Sequence, residues 1–431
     1  MTESGEQVVI EKIVQGGAGL ARADGMVILV PGVLPGETVR VRRGEARHGV
    51  TRGELAGVIH PSPRRVKPSC PLFLSCGGCG FLHTDYANEL ELKQQVLAET
   101  LERVGKLKPR ILPPVPALAP EGYRAFVQLK IDAAGKIGLF RRDSHDVVPF
   151  EGAGFEGCRL QRPRLNCAVE MLQGRLAGYQ VVKFREGDVG FVVNLTAESP
   201  LPPNPALFDS LRDLKVTGLL VNDRPVFGSP EVLYIYGEAP GSIYRFRVSH
   251  DAFFQPDPSV VQRLADRVAE IITAETGDNR LNENLLDLYA GVGTFGIQLA
   301  RKMLGVYCVE IGESAVRDLE QNVSENHVTN VAPYRGTAKS FLKRFRGTAG
   351  AIIVDPPRAG IEVEVRRAIE KLSAPLLCYV SCHPATLARD LADLVMAGGY
   401  EIDSVQLFDQ FGRTHHIESL SVLKKIPAAQ T

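Results

Sequence analysis

Three groups of side chains in this 431-residue chain have types and spacing that suit chemistry. The first is Asp287-Leu288-Tyr289-Ala290-Gly291-Val292-Gly293-Thr294-Phe295-Gly296. It follows an apolar run and opens a helical pattern. Gly291 and Gly293 therefore allow a tight turn and a close backbone approach to a ligand, with helix N–H groups pointing into the site. With Gly296 the run matches G-x-G-x-x-G, so a nicotinamide dehydrogenase is one reading. Asp287, just ahead of the glycines, suits S-adenosylmethionine better, because no pyrophosphate has to be accommodated. Glu310 ends the next apolar run, about twenty residues on, where a carboxylate can bind the ribose hydroxyls of either cofactor.

The second group is Asp355-Pro356-Pro357-Arg358 and Ser381-Cys382-His383-Pro384, each closing a strand-like run. A cysteine between a strand end and a helix start is expected to sit in a positive field that lowers its thiol pKa from about 8.5. Cys382 is thus the candidate nucleophile, whereas Cys378, inside the strand, reads as an inert buried thiol. Glu418, in His416-Ile417-Glu418, would by itself be a solvated surface residue. Combined with a nucleophilic thiolate, it becomes the expected general base. The third group is Cys70, Cys76 and Cys79, three of the eight cysteines within ten residues. That crowding points to metal or catalysis rather than a disulfide scaffold.

The elements that must position these residues alternate in the C-terminal part. A helix over 259–273 leads to the strands Leu285–Tyr289, Val306–Val309, Ala351–Val354 and Leu376–Val380, with helices between them. Such alternation predicts a parallel, doubly wound sheet that binds ligands at its carboxyl edge. Residues 7–60 show short strands between glycine turns every eight to twelve residues, as in a small antiparallel barrel. Residues 88–104 have helical apolar spacing, Ile111 to Pro120 reads as a stiff proline-rich connector, and 123–250 is mostly β-like. The expected domains are 1–62, 63–250 and 251–431.

Hydrophobic residues at 44% and charged residues at 23% exclude wholesale disorder. No stretch approaches the roughly 20 apolar residues of a membrane span. Met1-Thr2-Glu3-Ser4-Gly5-Glu6 has no secretory pattern, so the expected compartment is the cytoplasm. Fifty basic and fifty acidic residues cancel. Between Arg40 and Lys67, however, eight cations (Arg40, Arg42, Arg43, Arg47, Arg52, Arg64, Arg65, Lys67) face only Glu45 and Glu54. That local excess is either a solvated face or a nucleic-acid footprint.

Taken together, the motifs resemble the RNA uracil-5-methyltransferases, in particular the iron–sulfur, TRAM-domain-containing branch that acts on 23S ribosomal RNA. The resemblance spans nearly the whole chain. It is carried by Gln15-Gly16-Gly17-Ala18-Gly19-Leu20-Ala21-Arg22, Val30-Pro31-Gly32, Leu34-Pro35-Gly36-Glu37, Cys70-x5-Cys76-x2-Cys79 with distant Cys158, and Phe253-Phe254-Gln255. The glycine loop, Asp355-Pro356-Pro357-Arg358, Ser381-Cys382-x-Pro384-x-Thr386-Leu387-Ala388-Arg389-Asp390 and His416-Ile417-Glu418 complete it. It departs from the family pattern at Ala290, at Pro256-Asp257 and at His383.

The resemblance implies a multidomain α/β protein with an OB-like TRAM barrel, a central β-rich domain carrying the cluster cysteines, and a Rossmann-like methyltransferase domain. It places Gln255, Tyr289, Glu310 and Asp355 at S-adenosylmethionine, Cys382 as nucleophile and Glu418 as base. Cys70, Cys76, Cys79 and Cys158 would hold a 4Fe–4S cluster. Four cysteine ligands also suit zinc, but zinc ribbons pair two C-x2-C knuckles, which this chain lacks. The implied partner is RNA, 23S rRNA first and the T-loop uridine of tRNA second, with the protein a monomer and no membrane involved. A non-catalytic RNA-binding protein is disfavoured by Cys382 and Glu418, and the dehydrogenase by Asp355-Pro356-Pro357-Arg358, which has no role there.

Overall fold

The computed structural model describes residues 5–199, 205–237, 243–276 and 283–426. Most of the N-terminal hexapeptide, the side chain of Arg47 and residues 427–431 lie outside the described residues.

The N-terminal strands form one six-stranded sheet, ordered Glu6–Val9, Thr38–Arg47, Val50–His60, Met26–Pro31, Ala18–Ala23, Lys12–Ile13. Alternate residues turn inward and pack Val8, Ile10, Ile28, Val30, Val39 and Val41 into a small core. The sheet is not wholly antiparallel as expected, because Met26–Pro31 pairs in parallel with Val50–His60.

A seven-stranded sheet follows, ordered Val147–Pro149, Ile137–Phe140, Phe126–Ile131, Tyr179–Glu186, Phe191–Ala197, Gly218–Val221, Arg224–Gly228. The cysteine loop docks on its edge: Gly77 N–H donates to Phe140 O at 3.0 Å, and Arg142 Nη2 donates to Cys79 O at 3.0 Å. A separate hairpin, Glu231–Tyr236 with Tyr244–Ser249, packs on the helix Glu313–Glu325. Asn326, Asn322 and Asp318 of that helix accept from the N–H groups of Arg245, Arg247 and Ser249, so side chains cover the hairpin's open edge.

The C-terminal sheet has eight strands: Val331–Arg335, Gly305–Glu310, Asn284–Leu288, Ala351–Val354, Leu376–Ser381, Glu418–Lys425, Tyr400–Phe408 and Ile111–Val115. The first five are parallel to one another, while Glu418–Lys425 runs antiparallel to Leu376–Ser381. Alternate residues along these strands feed two separate cores. Leu285, Cys308, Ile353 and Cys378 join one, and Leu286, Val309, Ile352 and Leu377 join the other. Both faces are covered, which is why the strands read as unbroken apolar runs.

Two sequence expectations change. Ile111–Val115 is an edge strand paired with Tyr400–Phe408, not a free connector. An edge is where Pro113 and Pro114, which have no N–H to donate, can be accommodated. The helix Tyr86–Gly105, capped by Asp85 accepting from Asn88 N–H, buries Leu92, Val96, Leu97 and Leu101. A Cβ on Gly105 would stand 2.7 Å from Ala388 O, so this helix lies against Pro384–Met396. Residues 86–115, within the expected 63–250 span, thus pack with the C-terminal sheet.

Candidate active site

Strand order reverses between Asn284–Leu288 and Ala351–Val354, opening a crevice at the carboxyl edge. Here the glycine loop turns through three left-handed residues: Tyr289 at φ +66°, Gly291 at +54° and Gly293 at +90°. A tyrosine held in that region is backbone strain at the site. A Cβ on Gly291 would meet nothing within 4 Å, which leaves room for a ligand, whereas one on Gly296 would strike Cys308 Sγ at 2.3 Å. Asp287 is fully buried; its Oδ2 accepts from Gly296 N–H at 2.9 Å and its Oδ1 has no partner among the described residues. Burial raises its pKa to about 7. Glu310 anchors the loop by accepting from Gly291 N–H at 3.0 Å and from Ile311 and Gly312 N–H at 2.7 Å.

Asp355 follows the next strand, half-buried, and burial together with nearby Asp287 raises its pKa to about 7. Gln255 reaches it with a side-chain hydrogen bond that opposes the rise. The neighbouring Pro256-Asp257 has a local structural use. Pro256 O accepts from Ala125 N–H at 3.0 Å, and Asp257 Oδ1 accepts from Ser259 N–H at 3.0 Å at the start of the helix Pro258–Thr276.

The antiparallel register pairs Ser381 with Ser419, which places Cys382, one residue after the first, across from Glu418, one residue before the second. Glu418 is 1% exposed, not a solvated surface residue. Gln410 Nε2 donates to its Oε2, its Oε1 has no partner among the described residues, and burial with Asp355 nearby holds its pKa well above the carboxylate range. The expected lowering of the Cys382 pKa is overturned: it is raised to about 11. Burial and the carboxylates of Glu418 and Asp355 outweigh Arg358, the one lowering charge in that balance. Cys378 is buried with its pKa pushed up to about 12, as an inert core thiol should be.

Sequence reasoning named His383 and Gln15 without seeing that they meet, and missed Lys93 and Asp409, all of which hold this edge in place. His383 Nδ1 accepts from Thr386 N–H at 3.3 Å, and its Nε2 lies 2.9 Å from Gln15 Nε2 of the N-terminal sheet region. Buried Lys93 sits 2.7 Å from both Glu89 and Asp409 and so ties the helix Tyr86–Gly105 to the loop before Glu418. Arg413 O accepts from Gly80 N–H at 2.8 Å, joining the same loop to the cysteine segment. A glutamate and a lysine at helical core spacing, Glu89 and Lys93, were the only signal in the sequence for this network.

Cys70, Cys76, Cys79 and Cys158 line one largely apolar cavity. Gly78 N–H donates to Cys76 Sγ at 3.4 Å, and burial raises the pKa values of Cys76, Cys79 and Cys158. Among the described residues no three His, Cys, Asp or Glu side chains are grouped as they would be around a single ion. The basic run is largely paired within the chain. Arg42 meets Glu54 at 2.9 Å, Arg43 meets Glu6 and Asp24, Arg52 meets Asp143, Arg64 meets Asp85 at 2.7 Å, and Arg65 meets buried Glu37.

Residues 232–426 match the family model described as tRNA (Uracil-5-)-methyltransferase. An uncharacterized RNA methyltransferase of Gloeobacter violaceus is 33% identical over 452 residues, covering 97% of this chain and 96% of the relative. One from Thermosynechococcus vestitus is 31% identical over 445 residues, covering 96% of each. The crystal structure of Pyrococcus abyssi tRNA (uracil-54, C5)-methyltransferase in complex with S-adenosyl-L-homocysteine superposes with a TM-score of 0.73 at 23% identity. That superposition covers 97% of this chain and 100% of the other, a likeness of fold.

Proposed function

We propose, from the premise that this chain belongs to the RNA (uracil-5-)-methyltransferases, which are S-adenosylmethionine-dependent enzymes, that it methylates carbon 5 of one uridine in 23S rRNA through a covalent cysteine adduct. The observation that carries the mechanism is the Ser381–Ser419 register, which sets Cys382 opposite Glu418 at the sheet's carboxyl edge. S-adenosylmethionine supplies the methyl group and one positive charge. Gln255, Tyr289, Glu310 and Asp355 are the proposed binding residues. The half-buried carboxyl of Asp355, whose pKa is raised, suits a cation, because the opposite charge favours its ionised form.

In this reading the Cys382 thiol loses its proton and its sulfur adds to carbon 6 of uracil, which makes carbon 5 nucleophilic. After carbon 5 is methylated, Glu418 removes the proton there, and breaking of the carbon 6–sulfur bond frees Cys382. The target base has to leave its stack to reach a buried site, which favours a loop uridine. Cys70, Cys76, Cys79 and Cys158 are proposed to hold a 4Fe–4S cluster. We read residues 1–62 as the TRAM barrel, 63–250 without the 86–115 segment as the cluster domain, and 251–431 together with that segment as the Rossmann-like domain of a cytoplasmic monomer. The ribosomal reading rests on the motif resemblance, because the likeness of fold to the tRNA enzyme extends over 97% of this chain, N-terminal sheet included. The T-loop uridine of tRNA is the second reading, suggested by the description of the matching family model.

Mass mapping of uridines in ribosomal and transfer RNA from a deletion strain tests this. Loss of one 5-methyluridine from 23S rRNA is expected. Loss from the tRNA T-loop instead would transfer the assignment to the second reading.

A further inference from the structure

Three polar side chains besides the cysteines line the cavity of Cys70, Cys76, Cys79 and Cys158, none of them used by the proposed methylation: Arg159, which donates to Ser69 O at 3.4 Å, buried Gln161, and Arg124. Gln161 lines it, is 2% exposed, and has no hydrogen-bond partner for either amide atom among the described residues. Arg124 lines it as well, and its Nε is likewise buried without a partner. The two are held side by side by their backbones: Arg124 N–H donates to Leu160 O at 2.8 Å, and Arg162 N–H donates to Arg124 O at 3.2 Å. Much of the remaining wall is apolar, with Leu72, Phe73, Leu139 and Phe155 among it. An amide buried against hydrocarbon with nothing to bond costs stability, and an apolar residue of similar size would avoid that cost. The arrangement makes sense if something inside the cavity accepts hydrogen bonds.

The backbone around the cavity points the same way. The N–H groups of Leu160 and Gln161 lie near the Cys158 sulfur, the latter donating to Cys158 O at 3.2 Å, and Gly78 N–H donates to Cys76 Sγ at 3.4 Å. The charge of Arg124 acts on Cys76, Cys79 and Cys158 alike, favouring their ionised forms. Donors or the Arg124 charge therefore reach three of the four sulfurs, those of Cys76, Cys79 and Cys158.

We propose that Gln161 and Arg124 are the side-chain donors to a cysteine-held iron–sulfur cluster, and that Gln161 raises its reduction potential. This rests on the reading of Cys70, Cys76, Cys79 and Cys158 as cluster ligands. Four thiolates give such a cluster net negative charge, and a single electron entering the irons adds one more. Hydrogen bonds to its sulfurs stabilise the more negative, reduced state. Gln161 is a positioning residue in this scheme and touches neither the uridine nor Cys382.

The test uses full-length protein purified without oxygen, assayed for iron and acid-labile sulfide and titrated with dithionite while the visible absorbance is followed. Wild type should contain both iron and sulfide. Gln161→Leu should keep the iron and be about tenfold harder to reduce, equivalent to ~59 mV for one electron. If the leucine variant fails to load iron, Gln161→Glu serves instead and should be harder still to reduce, since it adds a negative charge at the same size. A loaded variant with an unchanged potential overturns the assignment of Gln161 while leaving the cluster intact. Wild type lacking sulfide, or holding zinc, overturns the cluster reading and this inference with it.

Discussion

The basic stretch between Arg40 and Lys67 and the carboxyl edge of the C-terminal sheet both gather ionisable side chains, and they hold them on opposite terms. In the stretch, Arg42 and Glu54 sit in solvent as a pair, and Arg43, Arg64 and Arg65 are matched to Glu6, Asp85 and Glu37. Water screens a pair held in solvent, such as Arg42 with Glu54, so it stabilises little, while Glu37 is buried beneath Arg65. At the edge, Asp287 and Glu418 are buried, each with one carboxylate oxygen unpartnered among the described residues, and their nearest charged neighbours include other carboxylates. Burial without a partner is expensive and has to be offset by the rest of the fold. A count of charges draws attention to the first region, but the unpaired burial is in the second.

The largest effect that would break this contrast is at Glu418. Glu418→Gln should bind S-adenosylmethionine normally yet lose about a thousandfold in turnover, within the usual range for a general base. It should also accumulate cysteine-linked methylated RNA, visible as a slow-migrating band in a denaturing gel. Normal turnover by this variant would put the base elsewhere.

Next comes a stability effect at Asp287, whose folded pKa of about 7 lies above its unfolded value. The folded state then binds the proton more tightly, so stability is greatest at acidic pH and falls as pH rises from about 4 through 7. Asp287→Asn should escape this loss and gain up to about 4 kcal/mol at pH 8. It should differ little from wild type at pH 4. Urea melts at the two pH values measure it, and an equal difference at both would contradict the buried-charge account.

How much of this was legible in the sequence varies along the chain. Cys382, Asp355, Glu310 and the glycine loop stand out because each belongs to a contiguous motif at a strand end, and strand ends can be read from local apolar runs. The direction of the Cys382 pKa could not be read that way. It depends on Glu418, which lies 36 residues further on and becomes a neighbour only through the Ser381–Ser419 register. The same holds for Lys93 with Asp409 and for Gln15 with His383, contacts between residues more than 300 apart in the chain. Ile111–Val115 was hidden by its prolines, which signal a linker locally and are accommodated in the fold only because the strand is at an edge.

The raised pKa values at Cys382 and Glu418 also sharpen the comparison kinetically. Both groups must ionise to act, so kcat/KM should climb with pH from 6 to 8, by about tenfold per unit for each of the two protons still to be lost. A flat profile over that range would mean that neither group limits the free enzyme.

The smallest effect belongs to the basic stretch. Arg42→Ala should change RNA affinity less than about twofold and leave the log–log salt slope unchanged, where losing one phosphate contact would flatten it by about 0.7 to 0.9 unit. Filter binding at several salt concentrations checks this. A loss of that size from the slope would make Arg42 part of the RNA footprint despite its pairing with Glu54.

The central claim, that Cys382 forms a covalent bond to the target base, is tested most directly with RNA carrying 5-fluorouridine at the target position. Fluorine on carbon 5 cannot leave as a proton, so an adduct formed by Cys382 stays trapped after methyl transfer. Wild type with S-adenosylmethionine should give a denaturant-resistant protein–RNA complex whose peptide mass maps to Cys382, and Cys382→Ala should give none. An adduct in the alanine variant, or none in wild type that methylates the ordinary RNA, would contradict the account.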